Sequence, residues 1–239
     1  MSIWVPKRFW KEATVEREAQ GFGVRLDGRG VKTPAKTALI LPSRALAEAV
    51  AAEWDAQEEK IDPTTMPVTR AANAALDKVR AQFDEVAGLI AAYGETDLLC
   101  YRADAPQELA DRQAEAWDPL LDWAEAALGA RLTATAGVMH IDQPEPALNA
   151  LRARVHGLGP FELTALHDLV GLSGSLIIGL AALEGWADAD TLWHLSRIDE
   201  SWQQEQWGVD EEAAELAARK KDEFRQALRF YLLLQEAES

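Results

Sequence analysis

Apolar residues change their period along this chain. Arg8-Phe9-Trp10-Lys11-Glu12-Ala13-Thr14-Val15 is aromatic and β-branched, a composition that suits a strand. Gly23-Val24-Arg25-Leu26 and Val31-Lys32-Thr33 flank Asp27-Gly28-Arg29-Gly30. Asp-Gly between short alternating runs predicts a hairpin, because both residue types tolerate positive φ. Leu39-Ile40-Leu41 offers a further strand, which Pro42 ends. A small antiparallel sheet is expected up to that point.

From Ser43 the period becomes helical. Ser43 suits an N-cap, and Leu46, Val50 and Trp54 recur along one face. Asp62-Pro63 breaks the run and Met66-Pro67 reopens it to Phe83, with a further helix over 84–93 that ends near Gly94. Residues 108–117 read as helix, and Asp118-Pro119 predicts a restart, since proline fits a first helical position but not an interior one. Residues 131–146 are ambiguous and could hold a short strand. Helices are then expected over 147–155, 161–183, 189–207 and 210–235. The fold class is α+β, with a β-rich domain at 1–42 and a helical domain at 43–239.

Charge narrows the range of partners. The formal net charge of −16 repels nucleic-acid backbones and anionic membranes and favours a partner with basic patches. With Cys100 as the sole cysteine, neither an intramolecular disulfide nor a cysteine-based zinc site can form, which suits a reducing compartment. The opening residues carry Trp4, Pro6, Lys7 and Arg8 and lead at once to acidic positions, unlike a signal or transit segment, so a cytoplasmic location is expected. The uncharged stretch from Leu169 to Leu183 is too short to span a bilayer and reads as a buried helix.

Motifs that carry chemistry mostly fail their context. Gly21-Phe22-Gly23 lacks a third glycine and enters a hairpin, not a helix. Gly174 to Gly179 is followed by Leu180-Ala181, where a phosphate loop needs Lys and Ser or Thr. Gly171-Leu172-Ser173-Gly174-Ser175 lacks the last glycine of a nucleophile elbow; Gly171, Ser175 and Gly179 read instead as a small-residue stripe for close helix packing. His140, His156, His167 and His194 show no metal-ligand spacing, and His167-Asp168 has no nucleophile placed beside it by sequence. No catalytic residue, metal ligand or cofactor is implied.

One helix departs from the ordinary. On a projection of residues 189–207 at about 100° per residue, Thr191, Leu195, Ile198 and Trp202 face the core. Trp193, Arg197, Glu200, Gln204 and Trp207 fall opposite. Two tryptophans on a polar face suggest a partner-binding surface. The competing reading buries that face against another helix of the same chain.

Ordered blocks along the chain then point to a family. They include Lys7-Arg8-Phe9-Trp10, Leu26-Asp27-Gly28-Arg29 with Lys32-Thr33-Pro34, Ala52-Glu53-Trp54-Asp55, and Met66-Pro67-Val68-Thr69-Arg70. Further on come the block from Tyr93 to Arg102, the one from Trp117 to Trp123, Gly171 to Ser175, Asp199-Glu200 and Gln206-Trp207-Gly208. Together they resemble the ATP synthase F1 α-subunit assembly chaperones. The resemblance implies a protein that binds the free α subunit, keeps it from aggregating and surrenders it to the β subunit, without nucleotide or metal. It implies a small β domain joined to a helical one, and a bacterial version without a presequence. The family's sensitive acidic position best matches Glu200, with Asp199 adjacent. The free protein is expected to be a monomer or small oligomer. Two rival readings are a carboxylate-dependent hydrolase with a cleft between the two domains and a structural component of an oligomer.

Overall fold

The computed structural model describes residues 7–236. It has a small antiparallel sheet near its N-terminus and a larger helical part after it. Strands β1 (Ala13–Glu18), β2 (Gly21–Leu26), β3 (Arg29–Gly30) and β4 (Ile40–Leu41) form the sheet. β2 pairs along its length with β1, from Ala13 opposite Leu26 to Glu18 opposite Gly21, and on its other side with β3 and β4. Asp27 and Gly28 make the hairpin turn at φ 48° and 78°, as the Asp-Gly pair predicts.

The first strand begins later than its composition suggests. The Asp27 carboxylate accepts the Lys11 and Glu12 amides, which removes them from the ladder. Arg8 is likewise committed elsewhere, donating to the Asp55 carbonyl at 2.6 Å and to the Asp55 carboxylate at 3.0 Å. Residues 7–12 therefore run as an irregular strap, with Trp10 buried edge-on against Trp54.

Helix α1 (Arg44–Asp55) follows, its Leu46 amide capped by Ser43 Oγ, and lies on β1 and β2. Helix α2 (Pro67–Ala74) is capped from a distance: the Glu53 carboxylate accepts the Val68 and Thr69 amides and the Thr69 hydroxyl at 2.7–2.8 Å. A π turn at Ala75–Val79 continues it and carries Asp77 to the Thr33 hydroxyl and the Ala35 amide. These parts belong to the first of two compact units, which comprises the chain up to Phe83, residues 160–165 and the chain from Arg229 onward. The change of apolar period at Pro42 and the edge of this unit at Phe83 fall at different places.

The second unit contains residues 84–159 and 166–228. Along the chain the elements that follow begin with α3 (Phe83–Ala91), β5 (Tyr101–Arg102) and α4 (Gln107–Leu128). After β6 (Thr135–Ala136), paired in parallel with β5, come α5 (Glu145–His156), α6 (Pro160–Ser173) and α7 (Leu176–Leu183). Then follow α8 (Ala189–Leu195), α9 (Ile198–Trp207) and α10 (Glu211–Gln235). Helix α4 runs through Pro119 without the predicted restart. Gln113, Trp117, Leu120 and Ala124 are all buried along it, and that burial outweighs the ~3 kcal/mol an interior proline costs.

The expected helix over 161–183 is two helices. Gly174 turns left-handed at φ 75° and Ser175 starts α7 as its N-cap. Asp97, fully buried, fixes the break: its carboxylate accepts the Ser175 hydroxyl at 2.7 Å, the Ile177 amide at 3.0 Å and the Leu99 amide at 3.1 Å. The small-residue stripe is accordingly not one surface. Gly171 is exposed and Ser175 is a cap. Only Gly179 is a close approach, since a Cβ there would lie 2.7 Å from Val170 Cγ2. Among the described residues, no helix is long and apolar enough to cross a membrane.

Candidate functional site

Most of the sequence blocks singled out above hold the fold together. Arg102 donates to the Leu99 carbonyl at 2.9 Å and the Asp118 carboxylate at 2.8 Å, and its guanidinium lies 5.2 Å from the Trp117 ring. Trp117, fully buried, donates its indole N–H to the Leu195 carbonyl at 2.7 Å. Buried Gln113 accepts the Ala103 amide and donates to Asp199. Other block residues face outward, Phe9, Glu200 and Trp207 among them.

The predicted helix over 189–207 is broken at Ser196. The Ser196 hydroxyl donates to the Trp193 carbonyl at 2.7 Å and Arg197 leaves helical geometry at φ −121°, so α9 starts afresh at Ile198. A single projection cannot survive that break. Trp193, expected on the outer face, is 4% exposed and packs against Phe224 with ring centres 5.8 Å apart. Thr191, expected inward, is exposed, and Leu192 is buried in its place. For Trp193 the competing reading is therefore the right one.

The remaining four residues lie along α9, from its N-cap Arg197 to its last residue Trp207. Arg197 lies 5.0 Å above the buried Trp193 ring and pairs with Glu200 at 2.7 Å. Glu200 keeps 49% of its side chain exposed. Gln204 is half-buried, and Trp207 is 79% exposed beside Gly208. Trp193 thus positions Arg197, and Arg197 positions Glu200, while Trp207 presents a bare indole to solvent.

The projection missed the residues that hold α9 in place. Arg112 on α4 makes two parallel bonds to Glu205 at 2.8 and 2.9 Å and lies 4.9 Å from the Trp202 ring. The hydrogen bond from Arg112 holds the Glu205 carboxyl below its ordinary range. Nothing in the local spacing links positions 112 and 205; the usable signal was Trp202, an aromatic that a cation can cover.

Helices α8 and α10 are tied in the same way. Asp190 receives Arg225 at 2.9 Å and Lys221 at 3.1 Å, and these bonds, Arg225 first, lower its carboxyl to about 2. A depressed folded pKa contributes stability that is present above the ordinary value of 3.8 and lost as pH falls through about 2. In a carboxyl-carbon NMR titration, Asp190 is expected to reach its midpoint near 2. Arg225→Gln should move that midpoint back towards 3.8, and an unmoved midpoint would count against the pairing.

Burial, with Asp97 nearby, pushes the Cys100 thiol up to about 12, so it stays protonated and is a poor nucleophile. Ser173 is buried and donates to the Leu169 carbonyl. His167 is raised by its hydrogen bond to Asp168, but the pair is exposed on α6. Among the described residues no cluster of His, Cys, Asp and Glu could hold a metal ion.

Comparison with known proteins agrees with the fold. Residues 7–125 match a family model described as ATP12 chaperone protein. The mitochondrial protein atp12 of Schizosaccharomyces pombe is 25% identical over 222 residues, covering 88% of this chain and 76% of that protein. The crystal structure of Atp12 from Paracoccus denitrificans is similar at a TM-score of 0.94 and 52% identity, over 96% of this chain and 98% of that one. A chaperone candidate from Agrobacterium tumefaciens is similar at a TM-score of 0.92 and 44% identity, over 97% and 87%.

Proposed function

The chain belongs to the ATP12 chaperone family, and from that we propose that it assists assembly of the F1 sector of ATP synthase by binding the free α subunit. On this reading it shields the α subunit from aggregation and releases it to the β subunit. It acts by binding, without catalytic turnover, nucleotide or metal. The proposed contact residues are Arg197, Glu200, Gln204 and Trp207, with Trp193 acting from beneath through Arg197.

The observation that carries this reading is that helix α9 bears both the half-exposed carboxylate of Glu200 and, about two turns further on, the exposed indole of Trp207. A chaperone must cover a large assembly surface yet leave on cue, and subunit interfaces in obligate assemblies reach ~2,000 Å² or more. A polar face with an aromatic tip suits reversible capture better than a wholly apolar groove. A reducing, cytoplasmic setting fits the lone buried thiol, and a monomer is the proposed free state.

The test is to dilute isolated F1 α subunit from denaturant with and without this protein and follow light scattering. Stoichiometric suppression, followed by transfer of the α subunit to added β subunit, is expected. Unchanged α-subunit aggregation, or suppression of β-subunit aggregation alone, would overturn the assignment of the client.

A further inference from the structure

Helix α9 and the first half of α10 form an arm with almost no interior. From Asp199 to Glu223 no residue is buried, whereas Ile198 and Phe224 at its two ends are. Its ties to α4 are polar or cationic, through Arg112 and Gln113. Yet the arm exposes large apolar side chains at the turn between its helices and, with Leu216, in the second turn of α10. Trp207 is 79% exposed, Val209 66% and Leu216 47%. Solvent is a poor neighbour for apolar groups clustered within a few residues.

The charge on the arm says what kind of surface would cover them. Between Ile198 and Ala218 there are seven Asp or Glu residues and no Lys or Arg. Glu200 and Glu205 are paired with arginines from outside that stretch, and Asp210 caps the Glu212 and Ala213 amides at the start of α10. Glu211 and Glu212 stand exposed in the first turn of α10, two positions or more beyond Val209. A second copy of this chain would bring the same carboxylates against them, and an anionic lipid surface would be repelled. A cationic surface gains on both counts.

We infer that the arm is a docking surface for a segment of a partner protein that carries both basic and apolar side chains, with Trp207, Val209 and Leu216 as its apolar contacts and Glu211 and Glu212 as its charge contacts. The inference rests on the chaperone reading and specifies the chemistry of the client at that site. Long-range attraction speeds the encounter, and the indole supplies the short-range contact that slows departure. None of these residues is buried, so their replacement is expected to leave the fold intact, which the melting temperature of the variant checks.

The probe is a fluorescent amphipathic peptide of Lys and Leu, about 18 residues long, so that as a helix it spans several turns. Its binding to the full chain is read by anisotropy. The arm variant combines Trp207→Ser with Glu211→Lys and Glu212→Lys. The control carries Glu58→Lys and Glu59→Lys, two exposed positions that receive the same charge reversal elsewhere. Expected is a rise in Kd of roughly tenfold or more for the arm variant and less than about threefold for the control, with binding weakened by salt. Equal losses in both variants would mean that net charge alone attracts the peptide, and would overturn the inference. So would binding that neither variant changes, absence of binding, or a dimer of the wild type that the arm variant abolishes. Failure of the wild type to hold the F1 α subunit would remove the client assignment and leave the peptide result standing.

Discussion

Replacing Asp97 with alanine is expected to lower the unfolding free energy of the second unit by roughly 3–5 kcal/mol. The carboxylate is fully buried and accepts three donors: the Leu99 and Ile177 amides and the Ser175 hydroxyl. Alanine leaves all three without a partner in a site closed to water, at about 1–3 kcal/mol each, offset by removal of a desolvated charge. Set against a typical stability of roughly 5–15 kcal/mol, that loss brings the unit near its threshold. Asp97→Asn should cost less, since one oxygen still accepts, although its amide then faces the Ile177 N–H. Chemical denaturation of both variants gives the order. An alanine variant within about 1 kcal/mol of wild type would show that the break between α6 and α7 forms without the carboxylate.

The pH dependence at this position runs opposite to that at Asp190. Burial raises the Asp97 carboxyl above its ordinary value of 3.8 despite the bonds it accepts. The folded state therefore holds its proton more tightly than the unfolded chain does. The resulting penalty is absent below 3.8 and grows as pH rises through the folded value. Wild type should thus lose stability relative to Asp97→Asn over that rise.

The second large effect is expected in binding, not stability. Glu200→Lys should weaken capture of the F1 α subunit by roughly 2–5 kcal/mol if the carboxylate meets a basic patch there. On the free protein the same change removes an exposed pair with Arg197 and places a cation in the first turn of α9, where the helix dipole disfavours it. Both costs are small, together about 1 kcal/mol. Melting temperature and α-subunit pull-down should therefore separate. Unchanged capture removes Glu200 from the interface. A large fall in melting temperature would instead assign the Arg197–Glu200 pair to the fold.

Local pattern carried the sheet, the Asp27-Gly28 hairpin, the Ser43 cap and the switch to helix after Pro42, because each rests on neighbours in sequence. It failed where a distant side chain decides. Asp97 determines that α7 starts at Ser175, and no periodicity in residues 161–183 records a carboxylate so far away. At Ser196, a hydroxyl bonded to the carbonyl three residues back was enough to reset the helix and carry Trp193 into the interior. The candidate site was legible to the same degree: Glu200 and Trp207 stand outward, whereas Arg112, which grips α9, was invisible. The family blocks explain the asymmetry. Glu53, Asp97, Arg102 and Trp117 all make contacts distant in sequence, so they read as motifs through their part in the fold.

Membership of the first unit has a consequence for how the chain is made. The Ser43 hydroxyl donates to the Leu233 carbonyl at 2.6 Å, and Phe161 stacks on Phe230 with ring centres 6.3 Å apart. Residues that leave the ribosome first are thus completed by residues that leave it last. At about 5–20 residues per second, the sheet and α1 wait roughly 7–30 s after Phe83 is added before Arg229 follows. During that interval the N-terminal segment up to Phe83 has apolar surface with no native cover. A member of the ATP12 chaperone family thus has, in its own synthesis, an interval in which its first-made sheet is itself uncovered.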